Sequence, residues 1–557
     1  MKQGIQLTKI LMSFLFCISI GFAQAVTVEG DLTADATWTS DNTYYLNNQL
    51  FVKDGVTLTI EAGTEILGRY DANYSADNPA PCVVVEQGGM IMAEGTVDAP
   101  ITFRSELDPD DANYGNGRGL WGGLIINGYA PISNTGGVSN VEGLTSVQYG
   151  GTNPDDNSGV LRYVRVWNGG SSIAPDNEIN GITLAGVGRG TTVEYCEVAL
   201  NLDDGFEMFG GTVDLKHCAV FAVGDDAFDT DNGYQGRGQF LLVVRADDSD
   251  KAHEMDNATN GDLDSQPRSH PHFANVTVIS SPAHAEDGLR LREGTGGDFR
   301  NYILHGANDG VRNDENGSEV VTQDLTEAAA AGHPDYLYIS GSMIMNGLAD
   351  VPWDDFDEEG DGTWTGIYVM ESAGLSISVD ADGMPEMLDV TPTLGGIAYE
   401  GVDDVIEDDF FEQVNYKGAF GSHNWMEGWS GMMSYVTMLN LEEKDSHVIS
   451  DEISLLGNYP NPFNPSTEIA FELGKSYGIV SMKVFNLMGQ TVFETSIKDV
   501  RAGNHKITWE GSDMSGALVP SGLYLYQIST DTKSVICLLY TSTSPRDRQK
   551  SRMPSSA

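Results

Sequence analysis

The sequence predicts an all-β protein whose main part is a right-handed parallel β-helix. Three observations predict this fold. The chain has 65 glycines and 20% charged residues, which suits many turns and few exposed helices. Short β-branched runs alternate with turns rich in Gly, Asn and Asp. Part of the sequence repeats with a fixed period of 22 residues, which is typical of a solenoid.

Residues 1–25 are predicted to be a signal peptide. Lys2 and Lys9 precede an apolar run over residues 10–22, and Ala23-Gln24-Ala25 has the small-x-small pattern of a cleavage site. We therefore expect an exported protein, secreted or displayed on the cell surface. No later stretch is long and apolar enough to predict a transmembrane segment.

The charge excludes a nucleic-acid binder and argues against a protein that binds an anionic membrane surface. With 82 acidic and 30 Lys or Arg residues, the formal net charge is -52. A nucleic-acid binder gains its affinity by neutralising phosphates, which this chain would repel. An anionic membrane surface would repel it for the same reason.

The repeat organises the middle of the chain. An offset of 22 residues aligns Cys196 with Cys218 and then with Phe240. The same offset aligns Asp203-Asp204 with Asp225-Asp226 and Asp247-Asp248, Phe206 with Phe228, Val198 with Val220 and Leu242, and Arg290 with Arg312. One such unit is the length of one coil, and successive coils stack about 4.8 Å apart. We expect the β-helix domain to span residues 26–445, with a less regular part from about residue 320.

The N-terminal coils carry a resemblance. The segments VTLTIEAGTEI from Val56 and VVVEQGGMIMAEGT from Val83 resemble the opening coils of exported bacterial β-helix proteins. The resemblance covers roughly residues 50–320 and implies the architecture, not an activity.

A second domain is predicted over residues 455–536, after a linker over 446–454. The runs LLGNYPNPFNPSTEIAFEL from Leu455 and SGLYLYQIST from Ser521 closely resemble the C-terminal sorting domain of the type IX secretion system of Bacteroidetes-like bacteria. The resemblance implies an immunoglobulin-like β-sandwich and the type IX secretion machinery as a partner. The motif residues are Asn458, Pro460, Asn461, Pro462, Phe463, Asn464 and Pro465. Residues 537–557 are basic, unlike the rest of the chain, and are interpreted as a non-native tail.

The repeated acidic turn is the main candidate site. Carboxylates one coil apart repel each other unless they are protonated, solvated, paired with Arg or bound to a cation, and such oxygen-rich clusters suit Ca²⁺. The candidate calcium ligands are Asp203, Asp204, Glu207, Asp225, Asp226, Asp229 and Asp231. The alternatives are hydrogen bonds to turn backbone groups and catalysis by an acid. No other cofactor is expected.

Catalytic candidates follow from the chemistry of β-helix polysaccharide enzymes. These enzymes use paired acids to activate water, or Ca²⁺ with a basic residue to abstract a proton. Asp225 and Asp226 could supply the acids, and Arg290 and Arg312 should project from equivalent points of adjacent coils. Salt bridging to the acidic surface is the alternative for both arginines.

Three smaller features remain open. His270 and His272 are predicted to lie in a surface loop, with zinc binding as the alternative. Cys196 and Cys218 are predicted to be buried side by side, with a disulfide as the alternative. Trp425 and Trp429 are predicted to pack in the core, with a sugar-binding platform as the alternative.

The sequence thus favours a surface or secreted protein that binds a polysaccharide or a cell-surface ligand, including in adhesion. A calcium-dependent polysaccharide lyase or hydrolase is the alternative, and a structural surface component is the third.

Overall fold

The chain folds into two compact units, Met1–Met438 and Leu439–Ala557, as shown by a computed structural model. The structure describes all residues except 1–23, 76–77, 110, 142–143, 172–178, 258–261, 282–285, 308–309, 314–320, 323–335, 340–342, 347–352, 355–371, 380–384, 435–452, 460–465, 474, 486–490, 515, 517, 520–522, 531–533 and 541–557. In the described part, no helix is long and apolar enough to cross a membrane.

The first unit consists almost entirely of short strands. Its first half contains β1 Gln24–Val28, β2 Ala36–Trp38, β3 Asn42–Leu46, β4 Leu50–Val52, β5 Thr57–Ile60, β6 Glu65–Gly68, β7 Val83–Val85, β8 Met90–Glu94, β9 Ile101–Ser105, β10 Leu124–Asn127, β11 Ser139–Val141, β12 Leu144–Tyr149, β13 Gly159–Trp167 and β14 Ile182–Ala185. Its second half contains β15 Thr192–Ala199, β16 Phe206–Phe209, β17 Asp214–Phe221, β18 Phe228–Asp231, β19 Arg237–Arg245, β20 His253–Met255, β21 His272–Ser280, β22 Leu289–Leu291, β23 Gly297–Arg300, β24 Ile303–His305, β25 Val311–Asn313, β26 Val321–Thr322, β27 Tyr336–Ile339, β28 Ile344–Asn346, β29 Trp353–Asp354, β30 Ser376–Val379 and β31 Pro385–Asp389. A 3₁₀ turn, Ile397–Tyr399, and a helical turn over 431–434 follow.

These strands form a parallel β-helix, as predicted. Ten of them build one continuous sheet in the order β4, β7, β10, β14, β16, β18, β20, β22, β25 and β29, and a 17-stranded sheet supplies the other sides of the coils. Residues alternate between the interior and the outside with the period of two that a strand imposes. In β16, for example, Phe206 and Met208 are buried, whereas Glu207 and Phe209 are partly exposed. The inward-facing residues form a hydrophobic core that runs along the inside of the coils from Trp38 to Met345.

The register corrects one predicted alignment. Cys196 lies opposite Cys218 as expected, but Cys218 pairs with Leu241 rather than with Phe240, and Val220 pairs with Val243 rather than with Leu242. The reason is that this coil has 23 residues between equivalent positions instead of 22. A single added residue therefore moves Phe240 out of the interior column.

Phe240 instead belongs to a ladder at the corner of the coils. Six residues in equivalent positions have a left-handed backbone, with φ between 51° and 60°, and we call them the corner ladder: Tyr163, Tyr195, His217, Phe240, Asn275 and Asn301. The first four rings stack in order, with centroids 4.7, 4.4 and 4.9 Å apart. Such offset stacking adds to the stabilisation that burial of the rings supplies.

A covering segment, residues 397–434, lies over the corner ladder. The side chains of Asn275 and Asn301 donate hydrogen bonds to its Tyr416 and Asp403 carbonyls, both at 2.8 Å. Trp425 stands edge-on to His217 at 5.3 Å, and Trp429 stands edge-on to Tyr163 at 5.7 Å.

The covering segment is also held by two charged side chains. The Arg165 guanidinium donates to the Trp429 carbonyl at 2.7 Å. Glu197, which is fully buried, accepts from the Gly431 amide at 3.1 Å and from the Ser430 hydroxyl. Trp425 and Trp429 are both buried in this hydrophobic cluster, which confirms the predicted core packing.

The second unit contains β32 Ile453–Tyr459, β33 Thr467–Leu473, β34 Tyr477–Phe485, β35 Thr491–Val500, β36 Gly503–Trp509, β37 Leu523–Ser529 and β38 Ser534–Tyr540. They form a three-stranded and a four-stranded antiparallel sheet around a shared core that includes Phe471, Met482 and Trp509. In the predicted sorting motif, Asn458 lies in β32, and residues 460–465 fall outside the described residues. Strand β38 pairs with β37 as far as Tyr540, four residues into the predicted tail.

Candidate functional site

The candidate site lies on the outer side of the ten-stranded sheet. The pairing of β16, β18, β20, β22 and β25 places one residue of each strand in a single outward column: Glu207, Asp229, Glu254, Arg290 and Arg312. The column is acidic over its first three coils and basic over the next two. Its neighbours on the same strands point inward, because side chains alternate along a strand.

The acidic turns precede these strands. Asp204 Oδ1 accepts a hydrogen bond from the Asp226 amide at 2.9 Å, and Asp226 Oδ1 accepts one from the Lys251 amide at 2.5 Å. Each aspartate therefore accepts a hydrogen bond from the backbone of the next coil, as the alternative predicted, but both carboxylates are buried rather than pointing into water. These bonds use one oxygen of each carboxylate.

The predicted third repeat of this turn is wrong. Asp250 and Lys251, not Asp247 and Asp248, occupy the positions one coil beyond Asp225 and Asp226. The reason is again an insertion, since Phe228 and His253 pair at an offset of 25 residues. Asp248 instead pairs with Arg118 at 3.0 Å, and Asp247 accepts from the Ser281 hydroxyl.

Three overlapping groups of carboxylates result, and each has one oxygen per residue within 4.8 Å of the others. The groups are Asp203, Asp204 and Asp225; Asp204, Glu207 and Asp229; and Asp225, Asp226 and Asp250. At this separation and an effective dielectric constant of about 20, two ionised carboxylates repel by about 3 kcal/mol. Such groups provide the hard oxygen ligands that Ca²⁺ takes.

The surroundings make the charged form of these acids unfavourable. Burial, followed by the charges of Glu207 and Asp226, raises the pKa of Asp204 well above its ordinary value. Burial and Glu254 do the same to the pKa of Asp226, and burial and Asp204 to that of Asp229. Burial and Asp250 raise the pKa of Asp225 to about 6. Without a cation, the cluster therefore holds protons that isolated aspartates would release.

Two basic side chains partly compensate the cluster. Lys251 Nζ lies 2.5 Å from Asp250 Oδ2 and 3.3 Å from Glu254 Oε1. Arg292 binds both oxygens of Asp256, at 2.7 and 2.8 Å, and also contacts Glu254. Both cations stand at the Glu254 end of the cluster. Asp229 Oδ1, near the middle, is buried and has no hydrogen bond among the described residues.

The structure does not place every predicted ligand together. Asp231 lies outside the three groups, and its carboxylate accepts from the amide and the side chain of Asn232 at 2.5 and 2.8 Å. Burial raises its pKa to about 7. Glu207 accepts a hydrogen bond from the Asn180 side chain, which sequence reasoning did not identify.

Arg290 and Arg312 occupy equivalent points of adjacent coils, as predicted. Arg290 Nη1 lies 3.3 Å from Asp287 Oδ2, so it takes part in the predicted salt bridging. Asp225 and Asp226, the predicted catalytic acids, lie in the same carboxylate group with Asp250.

Sequence reasoning missed Lys251, Glu254 and Asp256, and it assigned Asp250 to the acidic turn without counting it among the ligands. None of them follows at an offset of 22, so only a search that allowed loop insertions at offsets near 25 could have found them.

The histidine pair differs from its prediction. His270 is buried rather than part of a surface loop, because its segment is held within the coil by a hydrogen bond from its amide to the Tyr234 carbonyl. Its Nδ1 lies 2.9 Å from His272 Nε2. Among the described residues, no group of three metal-binding side chains includes either histidine.

Comparisons with known proteins agree with the fold. A family model described as a pectate-lyase-like beta helix domain matches residues 30–332, and one described as an FlgD Ig-like domain matches residues 458–534. The latter agrees with the predicted immunoglobulin-like fold. None of the curated proteins matches the chain.

Two solved structures are similar to parts of the chain. FlgD from P. aeruginosa is 24% identical over 16% of this chain and 69% of its own, with a TM-score of 0.13. PorZ, a surface component of the type-IX secretion system of Porphyromonas gingivalis, is 22% identical over 18% of this chain and 13% of its own, also with a TM-score of 0.13. Neither likeness bears on the activity of the chain.

Proposed function

We propose that this chain, which belongs to the pectate-lyase-like β-helix domain family, is a secreted or cell-surface protein. We propose further that it binds polysaccharide through an acidic face that holds calcium. The observation that carries the proposal is the set of three overlapping carboxylate groups on successive coils. Calcium bound at the more exposed Asp203 and Asp225 would lie on the side of the coils that also carries Arg290 and Arg312, where it could bridge to the acidic groups of a glycan.

The chemistry of the cluster supports calcium as its counter-ion. Asp204, Asp226 and Asp229 have raised pKa values in the protein alone. A divalent cation would displace their protons, and the resulting carboxylates would bind it. The buried Oδ1 of Asp229 is suited to be one of its ligands. Further ligands would come from Asp203, Glu207, Asp225 and water, since Ca²⁺ takes six to eight oxygens.

Calcium binding is tested on the purified full chain by titration calorimetry and thermal unfolding at pH 7. Calcium at a hundred times its Kd should stabilise the fold by about 2.7 kcal/mol. Asp226→Asn should abolish most of the response. Asp247→Asn is the matched control, because this aspartate belongs to the sequence repeat but lies outside the cluster. Neither heat nor a shift in Tm for the wild type would reject the calcium site.

Glycan binding is tested separately by affinity electrophoresis in gels containing acidic or neutral polysaccharides. We expect retardation by an acidic polysaccharide with calcium, and loss of retardation with chelator. Retardation that is equal with chelator would show that binding does not use the cation. No retardation in any gel would favour a purely structural role at the cell surface.

A calcium-dependent polysaccharide lyase or hydrolase is the second candidate. It is favoured by the register that sets Arg290 and Arg312 beyond Glu254 in the same column as the carboxylates. A lyase leaves a carbon–carbon double bond in its product, whereas a hydrolase leaves only a new reducing end. Ultraviolet absorbance and reducing-sugar assays therefore separate the two, and products that persist in both Asp225→Ala and Arg290→Ala would place catalysis elsewhere.

Export by the type IX machinery is part of the proposal and rests on the sorting-domain resemblance over residues 455–536. In a Bacteroidetes-like host, deletion of these residues should leave the chain in the periplasm. Unchanged surface display of the truncated chain would reject the sorting role. Cell fractionation and surface labelling with antibody measure the outcome.

A further inference from the structure

We propose that Cys196 and Cys218 form an oxidation site, at which one disulfide joins two successive coils of the β-helix. In the structure both thiols are free. The proposal is independent of calcium and of glycan binding, because it concerns the interior of the coils rather than their acidic outer face.

The strand register brings the two thiols together. Strands β15 and β17 pair Glu194 with Lys216 and Glu197 with Ala219, so Cys196 lies directly opposite Cys218. Neighbouring strands are about 4.8 Å apart, which lies within the Cα–Cα range of about 4.4–6.8 Å for disulfides. Both side chains are completely buried and belong to the same hydrophobic core in the interior of the coils.

The third buried cysteine lacks this arrangement. Cys82 lies against Gly122 of the next coil rather than against a thiol. In the pair, each thiol is also close to a backbone carbonyl: Cys196 Sγ is 3.6 Å from the Leu161 oxygen, and Cys218 Sγ is 3.7 Å from that of Lys216. Because Cys82 is buried but faces a glycine instead of a second cysteine, it is the internal control for a buried cysteine that cannot pair.

Burial determines when the bond forms. Both cysteines are completely buried, so an oxidant reaches them only while the coils are open during folding. One cysteine thiolate attacks the disulfide of an oxidant such as oxidised glutathione, which gives a mixed disulfide and releases one glutathione thiolate. The second cysteine thiolate then displaces the other glutathione. Two protons leave, the protein disulfide forms, and the glutathione disulfide is reduced.

The disulfide would link the two coils that carry the acidic turns. Asp204 follows β15, and Asp226 follows β17. A link between these strands closes a loop of 22 residues and restricts the unfolded chain, while it keeps the two turns at a fixed separation.

The test uses the full chain with Cys17→Ser and Cys537→Ser, so that only the three buried cysteines remain. The protein is refolded with oxidised glutathione or with a reductant, then unfolded, alkylated and digested without reduction. We expect a linked peptide containing Cys196 and Cys218, complete alkylation of Cys82, and a Tm about 4 °C higher in the oxidised sample.

Two variants sharpen the result. Cys218→Ala should abolish the link, whereas Cys82→Ala should keep it. Natively folded oxidised protein in which all three thiols are alkylated would overturn the proposal, as would a link that involves Cys82. If Cys218→Ala does not fold, the peptide maps of the oxidised and reduced parent proteins decide the question.

Discussion

The corner ladder and the acidic turns repeat along the same β-helix with opposite consequences. In the corner ladder, the rings of Tyr163, Tyr195, His217 and Phe240 stack 4.4–4.9 Å apart and are covered by Trp425 and Trp429. In the acidic turns, carboxylate oxygens within 4.8 Å repel one another. The distance between coils is the same whatever side chains the coils carry. At this distance uncharged rings stack favourably, whereas ionised carboxylates repel each other unless a cation lies between them.

The largest effect is expected on the corner ladder. Trp429→Ala should reduce the free energy of unfolding by about 3–5 kcal/mol, because the indole is fully buried and its removal leaves a cavity against Tyr163 and Tyr195. Urea unfolding measures the loss. Leu394→Ala, at an exposed leucine of the same unit, is the control and should change little. A loss below about 1 kcal/mol would show that the covering segment does not support the ladder.

The next effect concerns Lys251, a cation that already lies among the acidic turns. Lys251→Gln should destabilise the protein by about 3 kcal/mol in chelator, because Asp250 and Glu254 lose a partly buried partner. Calcium should then raise the Tm of the variant by more than it raises that of the wild type. Equal calcium shifts in thermal unfolding would show that Lys251 and calcium do not compensate the same charges.

His253, in the interior next to Glu254, gives a smaller, pH-dependent effect. His253 continues the stack of Phe206 and Phe228, and neither of its ring nitrogens has a hydrogen bond among the described residues. Burial, with a contribution from Arg245, lowers its pKa to about 3. Because the unfolded chain then binds a proton that the folded protein excludes, stability falls as the pH decreases from about 6.5 towards 3.

His253→Phe should remove this acid sensitivity, which amounts to about 2 kcal/mol at pH 5. Urea unfolding of both proteins at pH 7 and pH 5 measures it. His423→Phe, at an exposed histidine, is the control. The same loss of stability between pH 7 and pH 5 in His253→Phe and in the wild type would contradict the assignment.

The smallest effect should change sign with calcium. The pKa of Asp225 is raised to about 6, so its ionisation opposes folding as the pH rises from about 4 through 6. In chelator at pH 7, Asp225→Asn should therefore stabilise the protein, by less than about 1 kcal/mol because the group is partly exposed to solvent. With calcium it should destabilise the protein. A shift of the same sign in both conditions, measured by thermal unfolding, would count against a cation at this turn.

The sequence by itself determined the architecture and part of the site. Repeated Phe206 and Phe228, Asp204 and Asp226, and Arg290 and Arg312 were all assigned to equivalent positions, because these coils keep the same length. A fixed period transfers directly into stacked strands, whose side chains alternate between the interior and the outside.

Only the tertiary structure decided which residues occupy equivalent positions after a coil whose length differs from 22 residues. One extra residue moved Phe240 from the interior into the corner ladder, and three extra residues replaced Asp247 by Asp250 in the acidic cluster. It also decided what covers the ladder, since Trp429 meets Arg165 across 264 residues of chain. The repeat cannot predict such contacts, because the covering segment has no repeat of its own and is placed by packing and buried hydrogen bonds.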